Sequence, residues 1–156
     1  MEELTLLGER AVQAKYELQR MTTEKKNEVL EAVAEALIQN TEYLLLENQK
    51  DLERGIANQM NPGLVDRLRL TKERIAGMAE GIRQIVKLPD PVGEILDDYE
   101  AENGLHIVKK RVPMGVIGII YESRPNVTAD AFGLCFKSRS AVILKGGSDA
   151  IRSNMA

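Results

Sequence analysis

Two short stretches of the chain contain the side chains best suited to chemistry: YESRPN, residues 121–126, and KGGSDA, residues 145–150. In the first, Arg124 is able to pair through two parallel hydrogen bonds with a carboxylate or phosphate. Asn126 is able to donate a hydrogen bond to a developing oxyanion. A simpler interpretation makes Glu122 and Arg124 a solvated ion pair and Asn126 a helix N-cap, and the pattern alone favours this simpler interpretation.

The second stretch resembles a strand-to-helix turn. Lys145 ends an apolar run, and the pair Gly146 and Gly147 allows another group to approach the backbone closely. Ser148 is expected to cap the helix that follows, and a helix N-terminus beside a lysine suits phosphate or ribose hydroxyls. Two glycines after a strand more often form a turn than a cofactor site, so both interpretations stay open. The dinucleotide motif G-x-G-x-x-G is absent from this stretch.

Both stretches follow continuous apolar runs, GVIGIIY and AVIL, which are typical of parallel strands buried on both faces. The intervening NVTADAFGLCFKS has helical spacing, so the pattern predicts strand, helix, strand and an α/β fold. Ligands bind at the carboxyl ends of such strands. Cys135 lies within the predicted helix, where a small buried hydrophobic residue is expected rather than a nucleophile.

The preceding ninety residues predict an array of amphipathic helices whose apolar stripes form a core. Thr22 or Thr23, Asn40 or Thr41, Asn61 and Thr71 are the expected N-caps. The segment LPDPVGE marks a connection. Asn103-Gly104 then predicts the turn of a charged β-hairpin that leans on another surface or another subunit. His106 is interpreted as an ordinary strand residue. These patterns divide the chain into residues 1–90, 91–112 and 113–156.

Composition excludes several classes of protein. The 156 residues carry a formal net charge of −3 and no Trp, which argues against nucleic acid as a partner. A single cysteine excludes an intrachain disulfide. No signal peptide or membrane-spanning run is recognisable, so a cytoplasmic protein is expected. Two parallel strands do not cover both of their faces, which leads us to expect the front part of a longer protein.

The segments RVPMGVIGIIYESRPNVTADAFGLCFKS and AVILKGGSDAIRSN closely resemble the gamma-glutamyl phosphate reductase family, within the aldehyde dehydrogenase superfamily. DLERG, LVDRLRLTKERIAGMAEGIRQI and LPDPVGE are similar to the same family, so the resemblance covers essentially the whole chain. It implies a helix array, a hairpin arm and the first βαβ unit of a Rossmann domain. The implied reaction is the NADPH-dependent reduction of gamma-glutamyl phosphate to glutamate-5-semialdehyde in proline biosynthesis, with NADPH against NADH left open.

The resemblance also implies roles for individual residues. Lys145 matches a lysine that binds the cofactor ribose, and the lining of the cofactor site is expected to include Glu122, Ser123, Gly146 and Gly147. Asn126 is the expected oxyanion donor, although a Pro-Trp-Asn pattern is absent. The hairpin resembles an arm that joins the subunits of a homo-oligomer. Arg124 as a contact to the substrate phosphate is our own hypothesis.

Two departures from the family pattern leave an alternative open. The family's catalytic cysteine falls beyond Ala156, and KSRS stands where Lys-Ser-Gly-Asn is usual, which places Arg139 at a left-handed turn at a cost of roughly 1 kcal/mol. The alternative is a non-catalytic relative that binds nucleotide or pairs with a full-length enzyme. An acyl phosphate reductase domain that follows a kinase is a lesser alternative, because Met1 directly precedes the helical region.

Overall fold

A computed structural model of the protein describes residues 2–122 and 124–156. The predicted helix array is present as α1 (Glu2–Arg20), α2 (Thr23–Gln39), α3 (Thr41–Ala57), α4 (Pro62–Leu68) and α5 (Lys72–Lys87). A hairpin follows, formed by β1 (Ile95–Glu100) and β2 (His106–Lys110). The chain then continues through β3 (Val116–Ile120), α6 (Pro125–Lys137) and β4 (Ala141–Lys145). A 3₁₀ turn (Ser148–Ala150) leads into the short α7 (Ile151–Met155).

Three of the predicted N-caps are confirmed. The side-chain oxygens of Thr22, Asn61 and Thr71 accept hydrogen bonds from backbone N–H groups in the first turns of α2, α4 and α5. Each cap satisfies a donor that has no partner within its own helix. Asn40 precedes α3 as expected, but its amide donates backwards to the Ala36 carbonyl at 2.8 Å instead of capping the new helix.

The hydrophobic core lies where α2, α5 and α6 pack together. The stripes predicted for α2 and α5 supply many of its buried residues, among them Leu30, Ala34, Ile75 and Ile82, and Ala129 joins them from α6. The approach of α6 to α5 is close: a Cβ built on Gly133 would lie 2.8 Å from Cδ1 of Ile82 and of Ile85. The core thus joins the helices of the first ninety residues to the helix that carries the first candidate stretch.

The predicted hairpin is confirmed as an antiparallel pair in which Tyr99 faces Ile107. Gly104 adopts φ +83° in its turn, a conformation that glycine adopts without strain. Every residue of β1 and β2 is exposed. His106, predicted to be a plain strand residue, contacts the Asp98 carboxylate across the hairpin.

Strands β3 and β4 are parallel, with Val116 opposite Ala141 and Ile120 opposite Lys145. The prediction that both strands are buried on both faces is wrong for the described residues, because the side chain of Ile120 is 85% exposed. Helices α1 and α6 pack against β4, and they do not cover the whole pair of strands. Arg139, between α6 and β4, has φ +56°, so the expected left-handed turn is present without the usual glycine.

Candidate functional site

The carboxyl ends of β3 and β4 hold the two candidate stretches side by side. The Tyr121 N–H donates to the Lys145 carbonyl at 3.1 Å, which extends the parallel ladder by one residue. The Tyr121 hydroxyl lies 2.6 Å from Thr128 Oγ1 on α6. The Thr128 hydroxyl in turn donates to Asn154 Oδ1 on α7 at 3.1 Å. This chain of hydrogen bonds fixes the loops against both following helices.

One part of the simpler interpretation of the first stretch is wrong, because Asn126 does not cap a helix. Arg124, not Asn126, occupies the N-cap position of α6, with Pro125 as the first helical residue. Asn126 therefore lies in the first turn of the helix, exposed, with Nδ2 at 3.5 Å from Asp130 Oδ2, at the limit of a hydrogen bond. The only hydrogen bond described between Glu122 and Arg124 is a backbone one, N–H to carbonyl at 3.0 Å. Ser123 lies outside the described residues.

Arg124 and Asn126 face a cleft of about 430 Å³ between α6 and the α4–α5 region. Four arginines and two aspartates surround it: Arg67, Arg69, Arg74, Arg124, Asp66 and Asp130. Sequence reasoning found Arg124 but missed the other three arginines. Their signal was the cluster in VDRLRLTKER, which helical spacing alone does not place beside residue 124.

Only one of these arginines is fixed by strong contacts among the described residues. Arg74 donates to the carbonyls of Asp66 and Arg69 and pairs with the Asp66 carboxylate at 3.3 Å. It therefore holds the end of α4 against α5. The guanidinium groups of Arg67, Arg69 and Arg124 make no described ion pair, and all three residues are exposed. A smaller cavity of about 60 Å³ is lined by Arg67 and Arg124 together with Glu122.

The second stretch differs from the prediction in its helix. Ser148 does not cap a helix; it begins the 3₁₀ turn, whose preceding residue Gly147 provides no side chain. A Cβ on Gly146 would lie 2.3 Å from Asn154 Nδ2 and 3.2 Å from the Tyr121 hydroxyl. A larger residue at position 146 would therefore displace the Asn154 side chain. Lys145 is exposed and lines neither of the two cavities.

Cys135 is buried on α6, and burial raises the pKa of its thiol, as expected for a core residue rather than a nucleophile. Among the described residues, no group of three or more histidine, cysteine or acidic side chains is arranged to hold a metal ion. No helix within residues 2–122 and 124–156 has the length and apolar character needed to cross a membrane.

Comparison with curated proteins finds relatives that share one name, gamma-glutamyl phosphate reductase. The chain is 52% identical over 156 residues to the gamma-glutamyl phosphate reductase of Clostridium botulinum (strain Eklund 17B / Type B) and 53% identical over 154 residues to that of Heliobacterium modesticaldum. These alignments cover 100% and 99% of the chain but 38% and 37% of the relatives. The chain thus spans well under half the length of the curated relatives that it matches. No protein-family model matches it.

Solved structures agree with the sequence matches. The gamma-glutamyl phosphate reductase of Thermotoga maritima superposes with a TM-score of 0.90 at 41% identity, covering 94% of this chain and 36% of that one. The Saccharomyces cerevisiae gamma-glutamyl phosphate reductase gives 0.88 at 32%, covering 93% and 37%. A probable aldehyde dehydrogenase from Listeria monocytogenes gives 0.67 at 16% identity, covering 98% and 31%, which shows a shared fold alone.

Proposed function

The chain is related over its whole length to the N-terminal part of gamma-glutamyl phosphate reductases, and on this premise we propose that it supplies part of the active site of an enzyme of that activity. The reaction consumes gamma-glutamyl phosphate and NADPH with one proton, and yields glutamate-5-semialdehyde, NADP and phosphate. The observation that carries the proposal is the position of Arg124 and Asn126, which share one cleft beside the carboxyl end of β3.

Asn126 is proposed as the donor to the oxyanion that forms at the acyl carbon. Its amide is exposed in the first turn of α6. The one hydrogen bond described for its Nδ2 group, to Asp130 Oδ2, is long at 3.5 Å. An amide with so weak a contact keeps N–H capacity for a ligand. A hydrogen-bond donor that is already in position does not have to reorient when negative charge develops on the substrate oxygen.

Arg124 is proposed to hold the phosphate that leaves the acyl carbon. It stands two residues before Asn126 and lines the same cleft, so one substrate is able to reach both side chains. Its guanidinium makes no ion pair with another described residue, and a guanidinium offers two parallel donors to a phosphate. The family resemblance implies a catalytic cysteine. Cys135 is the one cysteine of residues 1–156, and because it is buried it does not match that role.

The cofactor contacts are proposed at the second strand end. Lys145 is an exposed cation with no described ion pair, which fits a ribose hydroxyl or a 2′-phosphate. Gly147 would offer its backbone, and Glu122 and Ser123 are proposed as further cofactor contacts. Gly146 contributes by letting Asn154 and Tyr121 close beneath the loop. The nicotinamide cofactor, which we propose to be NADPH, supplies the hydride; these residues bind and orient it.

The hairpin is proposed to join subunits of a homo-oligomer. It leaves apolar side chains on β1 and β2 exposed, including Leu96, Tyr99 and Val108 at 46%, 49% and 43%. A two-stranded hairpin is marginal in water by itself, so a second subunit offers the missing surface. We further propose that residues 1–90 and 113–156 form the cofactor-binding part, in which residues 113–156 are a Rossmann βαβ unit. Residues 91–112 are proposed to form the arm. The protein is proposed to act in the cytoplasm.

The proposal is tested with a chimera in which this chain replaces the matching segment of the Thermotoga maritima enzyme. We expect the chimera to reduce NADP when glutamate-5-semialdehyde and phosphate are supplied, which is the reverse reaction. Replacing NADP with NAD measures cofactor preference. Asn126→Asp removes the donor with little change of size, and we expect kcat to fall about 10²–10³-fold.

The unmodified Thermotoga maritima enzyme serves as the positive control for the assay. A folded chimera with no activity would contradict the proposal and favour a non-catalytic relative. Unchanged kcat in the Asn126→Asp chimera would remove Asn126 from the mechanism and leave the family activity in place.

A further inference from the structure

We propose that the cleft between α4 and α6 recognises both anionic ends of an acidic acyl phosphate, with Arg67 and Arg124 on the phosphate and Arg69 on the carboxylate at the far end. This inference deepens the proposed function and rests on it. Arg67 and Arg69 come from a part of the chain that no sequence motif connected with the site.

The charge of the cleft is the first argument. Arg74 and Asp66 pair with each other and cancel. Arg67, Arg69 and Arg124 remain without a described ion pair, and Asp130 is the remaining acidic residue of the lining. The cleft therefore carries a surplus of positive charge in a protein whose formal net charge is −3. Local concentration of one sign of charge in a cleft is the usual signature of recognition of the opposite sign.

The chemistry of the substrate matches this surplus. An acyl phosphate of glutamate carries a phosphate of about −2, a carboxylate and an ammonium group near neutral pH. Two anionic groups need two sets of donors, and the cleft provides guanidinium groups from two walls. Asp130, on the α6 wall beside Asn126, is the acidic group available to the ammonium.

The assignment of each arginine follows from its neighbours. Arg67 and Arg124 both line the 60 Å³ cavity as well as the larger cleft, so the same small volume is open to both residues. A phosphate is able to accept from both. Arg69 lines the larger cleft but not the smaller cavity. It is therefore the arginine available to a second anionic group, one glutamyl chain away from the phosphate.

Arg74 has a different part in this arrangement. Its Nη1 group donates to the Asp66 and Arg69 carbonyls, and its Nη2 group donates to the Asp66 carboxylate. It holds the backbone that carries Arg67 and Arg69, so it is a positioning residue. Its loss would move the α4 wall without removing a ligand contact.

The experiment titrates the chain with inorganic phosphate and, separately, with L-glutamate, and follows backbone amide NMR shifts. We expect phosphate to shift the amides around residues 67 and 124, and glutamate to shift those around residue 69. Arg67→Ala and Arg124→Ala should each weaken phosphate binding at least tenfold, and Arg69→Ala should weaken glutamate binding at least tenfold. Arg20→Ala is the matched control, because Arg20 is an exposed arginine outside the cleft, and it should leave both affinities unchanged.

A third titration with NADP separates the substrate from the cofactor as the source of phosphate. NADP should shift amides near Lys145 and should not displace inorganic phosphate from Arg67 and Arg124. Displacement would assign the arginines to the cofactor and overturn the inference. Equal weakening by Arg20→Ala would show non-specific attraction and would also overturn it. Failure of phosphate and glutamate to bind, with Lys145-dependent NADP binding retained, would reject the arginine assignments, including Arg124 on the phosphate, and would leave the proposed reductase activity to be decided by the chimera.

Discussion

Arg139 Nη2 lies 3.2 Å from Asp90 Oδ2, and this ion pair joins the turn between α6 and β4 to the connection that follows α5. The same Asp90 oxygen accepts from Thr23 Oγ1 at 2.5 Å and pairs with Lys26 Nζ at 2.8 Å. Its second oxygen accepts from the Val92 N–H at 3.0 Å. One carboxylate thus connects α2, the connection and the candidate βαβ unit.

In the network around Asp90, Lys26 is fully buried and Asp90 and Arg139 are partly buried, and the pKa values follow from burial opposed by pairing. Burial would raise the pKa of Asp90, but the hydrogen bonds from Lys26, Thr23 and Val92 hold it well below its usual range. Burial lowers the pKa of Lys26, and Asp90 opposes that shift. Lys26 also donates to the Lys137 carbonyl at 2.7 Å, so its ammonium has more than one partner in the core.

The first prediction concerns the left-handed residue. Arg139→Ala removes the ion pair but keeps a Cβ at φ +56°, whereas Arg139→Gly removes both the ion pair and the strain. We expect the free energy of unfolding of Arg139→Gly to exceed that of Arg139→Ala by about 1 kcal/mol. Urea denaturation measures the difference. Equal stability of the two variants would mean that the left-handed turn relaxes when the arginine is lost.

The second prediction concerns pH. Because the folded protein lowers the pKa of Asp90, the stabilisation is complete above the ordinary aspartate pKa of about 3.9 and is lost as pH falls through the lower folded value. We expect Asp90→Asn to lose about 3 kcal/mol at pH 7, since Lys26 loses its charged partner in the core. The variant should also show a flatter decline of stability below about pH 4.

Glu102→Gln is the control for this experiment, because Glu102 is an exposed carboxylate in the hairpin turn. It should follow the wild-type protein at every pH, as measured by urea denaturation from pH 2 to pH 7 at roughly one-unit steps. An Asp90→Asn protein as stable as wild type at pH 7 would contradict the role assigned to the ion pairs.

The sequence predicted the elements that local patterns specify. Helical spacing identified the α5 stripe, three side-chain caps followed from their residue types, and Asn103-Gly104 located the hairpin turn. These features depend on residues within one or two turns of each other. The strand pattern singled out residues 121–126 and 145–150 as candidate loops, and the resemblance assigned roles to individual residues within them.

What the sequence could not predict depends on contacts between distant segments. The approach of Arg67 and Arg69 to Arg124 requires the end of α4 and the start of α6 to face each other across one cleft. Likewise, Arg139 was interpreted as a poor substitute for glycine, because the sequence did not reveal that its guanidinium reaches Asp90, 49 residues away. The strands were expected to be buried on both faces, yet burial depends on which elements lie against them.

The third prediction concerns the hairpin as an oligomer contact. Tyr99 and Ile107 face each other across β1 and β2 and are 49% and 38% exposed. We expect Tyr99→Ser with Ile107→Ser to lower the molar mass measured by light scattering from an oligomer to a single chain. Tyr43→Ser with Ile56→Ser is the matched control, because it removes similar exposed apolar area from α3. A monomeric wild-type chain, or equal dissociation of the control, would contradict the proposal.

The fourth prediction compares two helical glycines. A Cβ on Gly133 would lie 2.8 Å from Cδ1 of Ile82 and of Ile85, and both isoleucines are buried, so they have little room to move. We expect Gly133→Ala to lose about 1–3 kcal/mol of unfolding free energy through overpacking between α5 and α6. Gly8→Ala is the control: within residues 2–122 and 124–156 no atom outside its own helix turn lies within 4 Å of the Cβ position, and the α1 helix should gain about 0.5–1 kcal/mol.

Removal of the clashing methyl groups tests the cause of that loss. A Cβ at position 133 would meet two Cδ1 atoms, and Ile82→Val and Ile85→Val each delete one of them. In the wild-type background each change should cost about 0.5–1.5 kcal/mol, but in the Gly133→Ala background it should cost less or restore stability, because the new methyl group fills the space. Additive losses in urea denaturation would show that helix α6 moves as a whole instead, and that the close approach of α5 and α6 is not what requires glycine at position 133.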